Sequence, residues 1–544
     1  MASPISSLAP RHFYIAAALG AIVIALGALR LTPQVCGVYH DDAVYVSTAK
    51  SLAEGRGYRL INLPATPPPP QTKYPPLYAA TLAGVWTLWP KFPANLIALQ
   101  AVSLMSAALA VSLAYLYLIR FRYADSVTCA LAAAICATSP SFIYFATQTL
   151  SESLFSLVLV ANVWLLESGE RSGRMKLREF SEGVMLTLPF LCRSVGICFY
   201  FPALVRVLKQ SATALPYAAG ALLAALPWVA WIAVNLQHAA GPAASYYTVE
   251  NYVSWWAIDA SVVRVALLNI FWVLTSIGAL QVEGLAAMGF SERVAFLLLS
   301  LLLFTIIGGG VCLTLLRTCQ RGGPLVLFFG AYLVVIVFWP WPPPRFVVPL
   351  TPLLGVFFLL FVQRLGGRVI PRRARISVFL VAVLVLCTNV LQQARIANVV
   401  RQTGYPYAGV PEERISWSRY TETFNWLKAN VETDAVIASG LDTMVYLYTD
   451  RRSIRPFVQR PTGLYYMSGE PPLGTAAEFR SHLLSSGAGY LLELPMPGFR
   501  EEQPLAQLIQ ETLASRPGCL RERFRLPNDS RFIVYAVVQS HCAD

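Results

Sequence analysis

Charge is what this 544-residue chain has least of: 13% of its residues are Asp, Glu, Lys or Arg, against roughly 25% in soluble globular proteins. With 56% hydrophobic residues, too little polar material remains to surface a water-soluble fold. Histidine is scarcer still, five in all, and no spacing of His, Cys, Asp and Glu forms a metal-ligand set. A Gly-rich phosphate loop is also missing, which removes the usual backbone cradle for nucleotides. Neither an obligatory metal nor another cofactor is expected. Acidic residues are rare where apolar ones are dense. Residues 1–394 contain 13 Asp+Glu and 26 Lys+Arg, whereas residues 395–544 contain 16 of each, so the whole net charge of +13 belongs to the first part. No basic stripe marks the tail, which excludes nucleic acid as a partner. The excess fits instead the cytoplasmic loops of a membrane protein and contact with anionic membrane lipids.

Long apolar runs are what the chain does have. Several approach the ~20 residues that cross a bilayer, and eleven spanning helices are expected near 13–31, 96–118, 124–139, 150–166, 182–193, 195–207, 213–235, 293–316, 323–339, 345–363 and 375–394. The first follows Arg11 and no small-residue cleavage site follows it, so it is expected to be retained. Basic loops around Arg120/Arg122, 171–178, Arg206/Lys209, Arg317/Arg321 and 364–375 set the orientation. With these inside, alternation puts the N-terminus in the cytoplasm and residues 32–95, 140–149, 236–292, 340–344 and the tail outside. Residues 75–90 are apolar but short and bounded by prolines, and are expected to be re-entrant or interfacial. Arg193, in the middle of 182–207, predicts two short helices meeting near the outer surface.

The predicted fold class is therefore a polytopic α-helical membrane protein with a soluble C-terminal α/β domain. The membrane part is expected over 1–395, with an outer loop at 32–75, and the outer domain over 396–544. In the tail, helices are expected at 420–430, 444–448 and 476–486, and strands at 435–439, 489–494 and 532–538. Of ten cysteines, seven lie in or beside apolar segments, where packing explains them. Cys519 and Cys542 flank an expected hairpin and are able to pair if the tail lies in an oxidising compartment.

The richest stretch is His40-Asp41-Asp42-Ala43-Val44-Tyr45, which opens an amphipathic helix expected over 43–54 just outside the first span. Ionisable groups near a membrane are costly and mark function. A carboxylate at a helix start also caps free amides, an explanation that suffices for one Asp but less well for two. His40 is read as interfacial. Farther on, Lys73-Tyr74-Pro75-Pro76-Leu77-Tyr78 follows a Pro-rich linker at 64–70. Lys73 suits a phosphate, or an ordinary membrane interface. Glu152, in Thr149-Leu150-Ser151-Glu152, serves equally as a second acid at a site or as a helix cap. Arg345 follows Trp341-Pro342-Pro343-Pro344 and suits a phosphate or a snorkelling position. Tyr246, Tyr247, Tyr252, Trp255 and Trp256 suit sugar stacking or an interfacial aromatic belt.

Taken in order, Asp41-Asp42-x-x-Tyr45, Ala49-x-x-Leu52-x-x-Gly55, Tyr74-Pro75-Pro76-Leu77-Tyr78, Ser139-Pro140 leading to Ser151-Glu152, Arg193 in a split helix, and Arg345-Phe346-x-x-Pro349-Leu350-x-Pro352 resemble the GT-C superfamily of membrane glycosyltransferases. The likeness runs over about residues 10–395 and is greatest to bacterial relatives of protein mannosyltransferases and lipid A aminoarabinose transferases. It implies transfer of a sugar from a polyprenyl-phosphate donor to a lipid, glycan or protein acceptor outside the membrane. It implies that Asp41 is the catalytic base, with Asp42 where relatives commonly have Glu, and makes Lys73, Tyr74, Glu152, Arg193 and Arg345 candidates for holding lipid phosphate or sugar. One departure is Tyr74, which separates Lys73 from the proline that follows such a lysine directly in aminoarabinose-type enzymes. A transporter or flippase for a lipid-linked saccharide, or a surface-glycan polymerase or ligase, is the competing function class. The chain shows no internal repeat of the kind transporters carry.

Overall fold

A computed structural model describes residues 8–168, 176–209, 211–235, 247, 260–289, 294–319, 323–369, 374–406 and 415–542. The chain divides into two units, one made of Met1–Leu31, Gln100–Val229 and Val263–Ala397, the other of Thr32–Leu99, Ala230–Val262 and Asn398–Asp544.

Among the described residues seven helices are long and apolar enough to cross a membrane: Pro10–Ala28, Leu96–Arg120, Ala214–Asn235, Val262–Gln281, Leu297–Thr318, Pro344–Gly367 and Arg375–Thr403. The chain is an integral membrane protein. An eighth span is formed if Ser126–Thr138 and Pro140–Ala146, bent by 60°, count as one. The bend has a local cause, because Pro140 supplies no backbone donor and Ser139 Oγ accepts from Phe142 N to start the second piece. Among the described residues the count by length and composition is thus seven or eight, where eleven spans were expected. The segments near 150–166, 182–193, 195–207 and 323–339 form helices of fewer than 18 residues, as in Glu152–Ser168 and Pro324–Val337. Lys176–Cys192 ends in front of an extended Arg193, and a 3₁₀ turn, Ser194–Phe199, then leads into Tyr200–Lys209. The split at Arg193 is therefore present.

Val262–Gln281 corrects the sequence reading, which placed all of 236–292 outside. Its polar residues disguised it, and the structure accounts for them. Asn269 is fully buried and donates to the carbonyls of Val337 (3.0 Å) and Trp339 (2.8 Å), at and just past the end of Pro324–Val337. Thr275 and Ser276 return their hydroxyl protons to carbonyls one turn earlier. The helix packs closely on its neighbour: a Cβ on Gly278 would lie 1.9 Å from Phe304 O, and one on Gly308 1.9 Å from Leu274 O. Small residues at helix contacts are the usual substitute for a hydrophobic drive inside lipid.

In the second unit, five strands run in the order β2-β1-β3-β5-β4. β1 (Val436–Ser439) pairs in parallel with β2 (Arg452–Ile454) and β3 (Ala488–Glu493), while β5 (Ile533–Val537) is antiparallel to β3 and to β4 (Leu520–Arg525). The helices Trp417–Asn430, Asp442–Thr449 and Ala476–Ser485 fall where periodicity put them. β4 escaped notice because Arg521, Glu522, Arg523 and Arg525 hide its pattern, yet charge suits the edge of a sheet. Residues 32–99 group with this sheet rather than with the spanning helices. Ser453 N donates to Asn62 O (2.8 Å), and Arg452 Nη1 donates to the carbonyls of Ile61 and Leu63, so the loop covers the β2 edge. The helix Pro76–Leu88 has thirteen residues, too short to cross.

Cys519 and Cys542 form a disulfide across a separation of 23 residues, closing the end of the β4–β5 hairpin. Replacing both with Ser is expected to cost about 3 kcal/mol. Thermal unfolding of the purified full chain with and without reductant checks this, and wild type should lose its advantage once reduced.

Candidate active site

The carboxylate pair sits on a turn of unusual geometry. His40 has φ 62° and ψ −58°, and Asp41 N donates to Tyr39 O at 2.8 Å. This is a three-residue γ-turn with positive φ, rare for a residue with a side chain, and such strain costs on the order of 1–3 kcal/mol. The helix Asp41–Ala53 begins immediately after it. That helix is not amphipathic as expected: Asp42 to Ala49 and Ser51 are all buried, since Pro76–Leu88 and Asp442–Thr449 both pack on it.

The two aspartates have different surroundings. Asp42 is fully buried, its Oδ2 accepting from Gly37 N (2.6 Å) and its Oδ1 from Tyr39 N (3.1 Å). Burial pushes its carboxyl up to about 6, while the amides of Gly37, Ala43 and Tyr39 pull the other way. Asp41 retains 15% exposure, and its Oδ1 accepts from Tyr74 Oη at 2.5 Å. Tyr74 is set by ring contact with Tyr45 and by Tyr58 Oη, which donates to Tyr74 O at 2.8 Å. Lys73 is buried, with Nζ 5.6 Å from the centroid of the Tyr74 ring. The structure thus brings Asp41, Tyr74 and Lys73 together, and sets Asp42 to the backbone behind them.

The raised value for Asp42 carries a sign. A carboxyl that holds its proton more tightly folded than unfolded, where its value is about 3.9, favours folding at low pH and loses that contribution as pH rises toward 6 and beyond. Asp42→Asn removes the titration. The melting temperature of wild type relative to this variant is therefore expected to fall between pH 4 and 7, and a constant difference would refute the assignment.

Glu152, Arg193 and Arg345 meet in the other unit. Glu152 is 1% exposed, with Oε1 2.7 Å from Arg193 Nη1 and also paired with Arg345 Nε. Its Oε2 is buried without a hydrogen-bond partner among the described residues. Arg193 also donates to Ser151 Oγ (3.1 Å) and lies over the Phe346 ring at 5.2 Å. Two guanidiniums share one carboxylate in a setting of low dielectric. Such a pair suits an anion with several oxygens.

Some residues here went unnoticed in the sequence. Glu283 accepts from Ser139 Oγ (3.0 Å), Ser141 N (2.9 Å) and Ser141 Oγ, and Arg30 donates to Pro140 O (2.9 Å) and to Gln393 Oε1 (3.1 Å). This network anchors the Thr138–Pro140 break. Single charges at the ends of apolar runs were its only trace. His40 is buried rather than interfacial, and Tyr247 is buried as well. Tyr246, Tyr252, Trp255 and Trp256 lie outside the described residues. Among the described residues no three His, Cys, Asp or Glu are grouped to hold a metal.

No protein-family profile matches the sequence, and no curated protein matches it significantly. Solved structures do match. ArnT from Cupriavidus metallidurans bound to undecaprenyl phosphate aligns over 97% of this chain and 98% of its own, with TM-score 0.55 and 13% identity. The archaeal oligosaccharyltransferase AglB from Archaeoglobus fulgidus, in complex with an inhibitory peptide and a dolichol-phosphate, aligns over 98% of this chain and 74% of its own, with TM-score 0.54 and 12% identity. The chain shares the fold of these two structures. At such identity the likeness speaks for the fold alone.

Proposed function

We propose that this protein is an inverting glycosyltransferase that moves a sugar from a polyprenyl-phosphate carrier to a hydroxyl of a lipid, glycan or protein acceptor. The observation that carries the proposal is the asymmetry of the pair: Asp42 is committed to backbone amides, while Asp41 is solvent-accessible and oriented by Tyr74. Asp41 is the base. It takes the acceptor's hydroxyl proton as that oxygen bonds the anomeric carbon, and the carbon–oxygen bond to phosphate breaks, its electron pair leaving on the polyprenyl phosphate. Arg193 and Arg345, with Glu152 between them, bind the phosphate and meet its developing charge. Lys73 and Tyr74 contribute to donor binding, and Asp42 acts by holding the turn. Because two guanidiniums supply the cationic charge, no obligatory metal or other cofactor is assigned.

Residues 1–395 form the catalytic part in this proposal and 396–544 an outer domain, with the N-terminus cytoplasmic in a bacterial inner or plasma membrane. The disulfide supports an oxidising compartment for the tail, and a lipid-linked donor suits a compartment without nucleotide sugars. The test uses radiolabelled polyprenyl-phosphate monosaccharides with wild-type protein in inside-out and right-side-out vesicles, EDTA present throughout. Transfer that needs acceptor on the outer side supports the whole assignment. Absence of transfer from every donor would bring a transporter of lipid-linked saccharides forward.

A further inference from the structure

The tail sheet reaches the turn that carries Asp41. Asp442, shortly after β1, is the first helical residue of Asp442–Thr449, behind the N-cap Leu441, where an acid ordinarily serves only the helix dipole. Here it is held by three side chains. Its Oδ1 accepts from His40 Nε2 (2.9 Å), and its Oδ2 accepts from Tyr247 Oη (2.5 Å) and Asn62 Nδ2 (3.1 Å). All four residues are buried, none more than 1% exposed. The same sheet end contributes Phe499, after β3, whose ring lies 6.4 Å from that of Tyr39. Met444 closes over Gly37, where φ is 100° and an added Cβ would stand 2.5 Å from Met444 Cβ.

We propose that Asp442 and His40 are positioning residues for Asp41, the tail carboxylate holding the His40 side chain so that the γ-turn stays in its strained form and directs Asp41 outward. This rests on the reading of Asp41 as base. His40 Nε2 lies within hydrogen-bond distance of both Asp442 Oδ1 (2.9 Å) and Tyr247 Oη (3.0 Å), so this edge of the ring is the tethered one. Nδ1 stands 4.0 Å from Asp41 Oδ1, beyond hydrogen-bond reach. His40 therefore acts on Asp41 through the backbone. The link is Asp41 N to Tyr39 O, with His40 between them. His40, Asp442, Asn62 and Tyr247 are all buried, which suits a tether that shapes the turn rather than a surface that meets donor or acceptor. Its loss is therefore expected in turnover rather than in donor affinity.

The experiment compares wild type, Asp442→Asn, His40→Gly and the double variant as full-length reconstituted protein. Asn keeps the shape but leaves one acceptor oxygen for three donors, and Gly accepts positive φ without strain while losing the tether. Each single variant is expected to lower kcat ten- to hundred-fold with donor KM within about two-fold of wild type. The double variant should match the singles, since both cut one link. Amide hydrogen exchange in a peptide spanning 38–44 should quicken in all three. His40→Gly guards against a misfolded Asp442 variant, because it leaves the tail intact. Unchanged kcat in both single variants, or additive losses with unchanged exchange, would overturn the proposal. A wild-type protein without transferase activity would overturn the base reading itself, and faster exchange in the variants would then report a structural tie only.

Discussion

Asp41→Asn is expected to lower sugar transfer by about 10²–10⁴-fold, the usual contribution of a positioned general base, while donor binding is retained. The substitution is nearly isosteric. The amide oxygen of Asn can still accept from Tyr74 Oη, which now donates to Asp41 Oδ1 at 2.5 Å, so the side chain keeps its orientation. The γ-turn around His40 is made by the backbone and is held from the far side by Asp42, whose two oxygens accept from Gly37 and Tyr39. What disappears is basicity alone. Single-turnover transfer measured beside donor affinity separates the two effects. Activity within ten-fold of wild type would place the base elsewhere. Asp42→Asn is expected to behave differently, because the turn loses an acceptor for one of its amides and stability suffers together with rate.

The second large effect is expected at Glu152. Glu152→Ala leaves Arg193 and Arg345, 10% and 18% exposed, without the carboxylate that now pairs with both. Breaking a buried ion pair from one side typically costs about 3–5 kcal/mol, because the remaining charge is desolvated without compensation. A marked drop in melting temperature should follow. If the two arginines bind lipid phosphate, polyprenyl phosphate supplies the missing anion, and it should raise the melting temperature of the variant more than that of wild type. Arg193→Ala should behave differently, since Glu152 keeps its pairing with Arg345. It should fold, lose donor affinity and show no thermal shift with the lipid. Arg193→Lys keeps the charge but loses the planar two-donor edge and should be intermediate. A Glu152→Ala protein that the lipid phosphate does not stabilise would remove this cluster from donor binding.

Much of this was open to local reading. The interruption at Arg193 is visible because one guanidinium inside an apolar run cannot be solvated by lipid, so the chain must break or pair there. Three tail strands and three tail helices follow from side-chain periodicity alone. Val262–Gln281 was not legible, because Asn269 breaks its apolar run and only the carbonyls of Val337 and Trp339 explain that residue. β4 was hidden for a related reason: an edge strand takes its pattern from the need to repel further strands, not from a buried face.

The membrane class was determined by composition, since lipid demands apolar runs that no solvent-exposed fold tolerates, and the order of motifs around 41–55, 74–78, 193 and 345–352 carries a resemblance to membrane glycosyltransferases. Only the tertiary structure decided how the charged residues divide their roles. Glu152 is a counter-ion because Arg345, 193 positions away, folds back onto it beside Arg193. Nothing in the local sequence sets Asp442 apart, and its role comes from His40, 402 positions away, which lies against it. Local patterns record how a residue meets its own helix or strand. A buried charge is placed by whichever distant partner offsets its desolvation, and that partner is chosen by the fold.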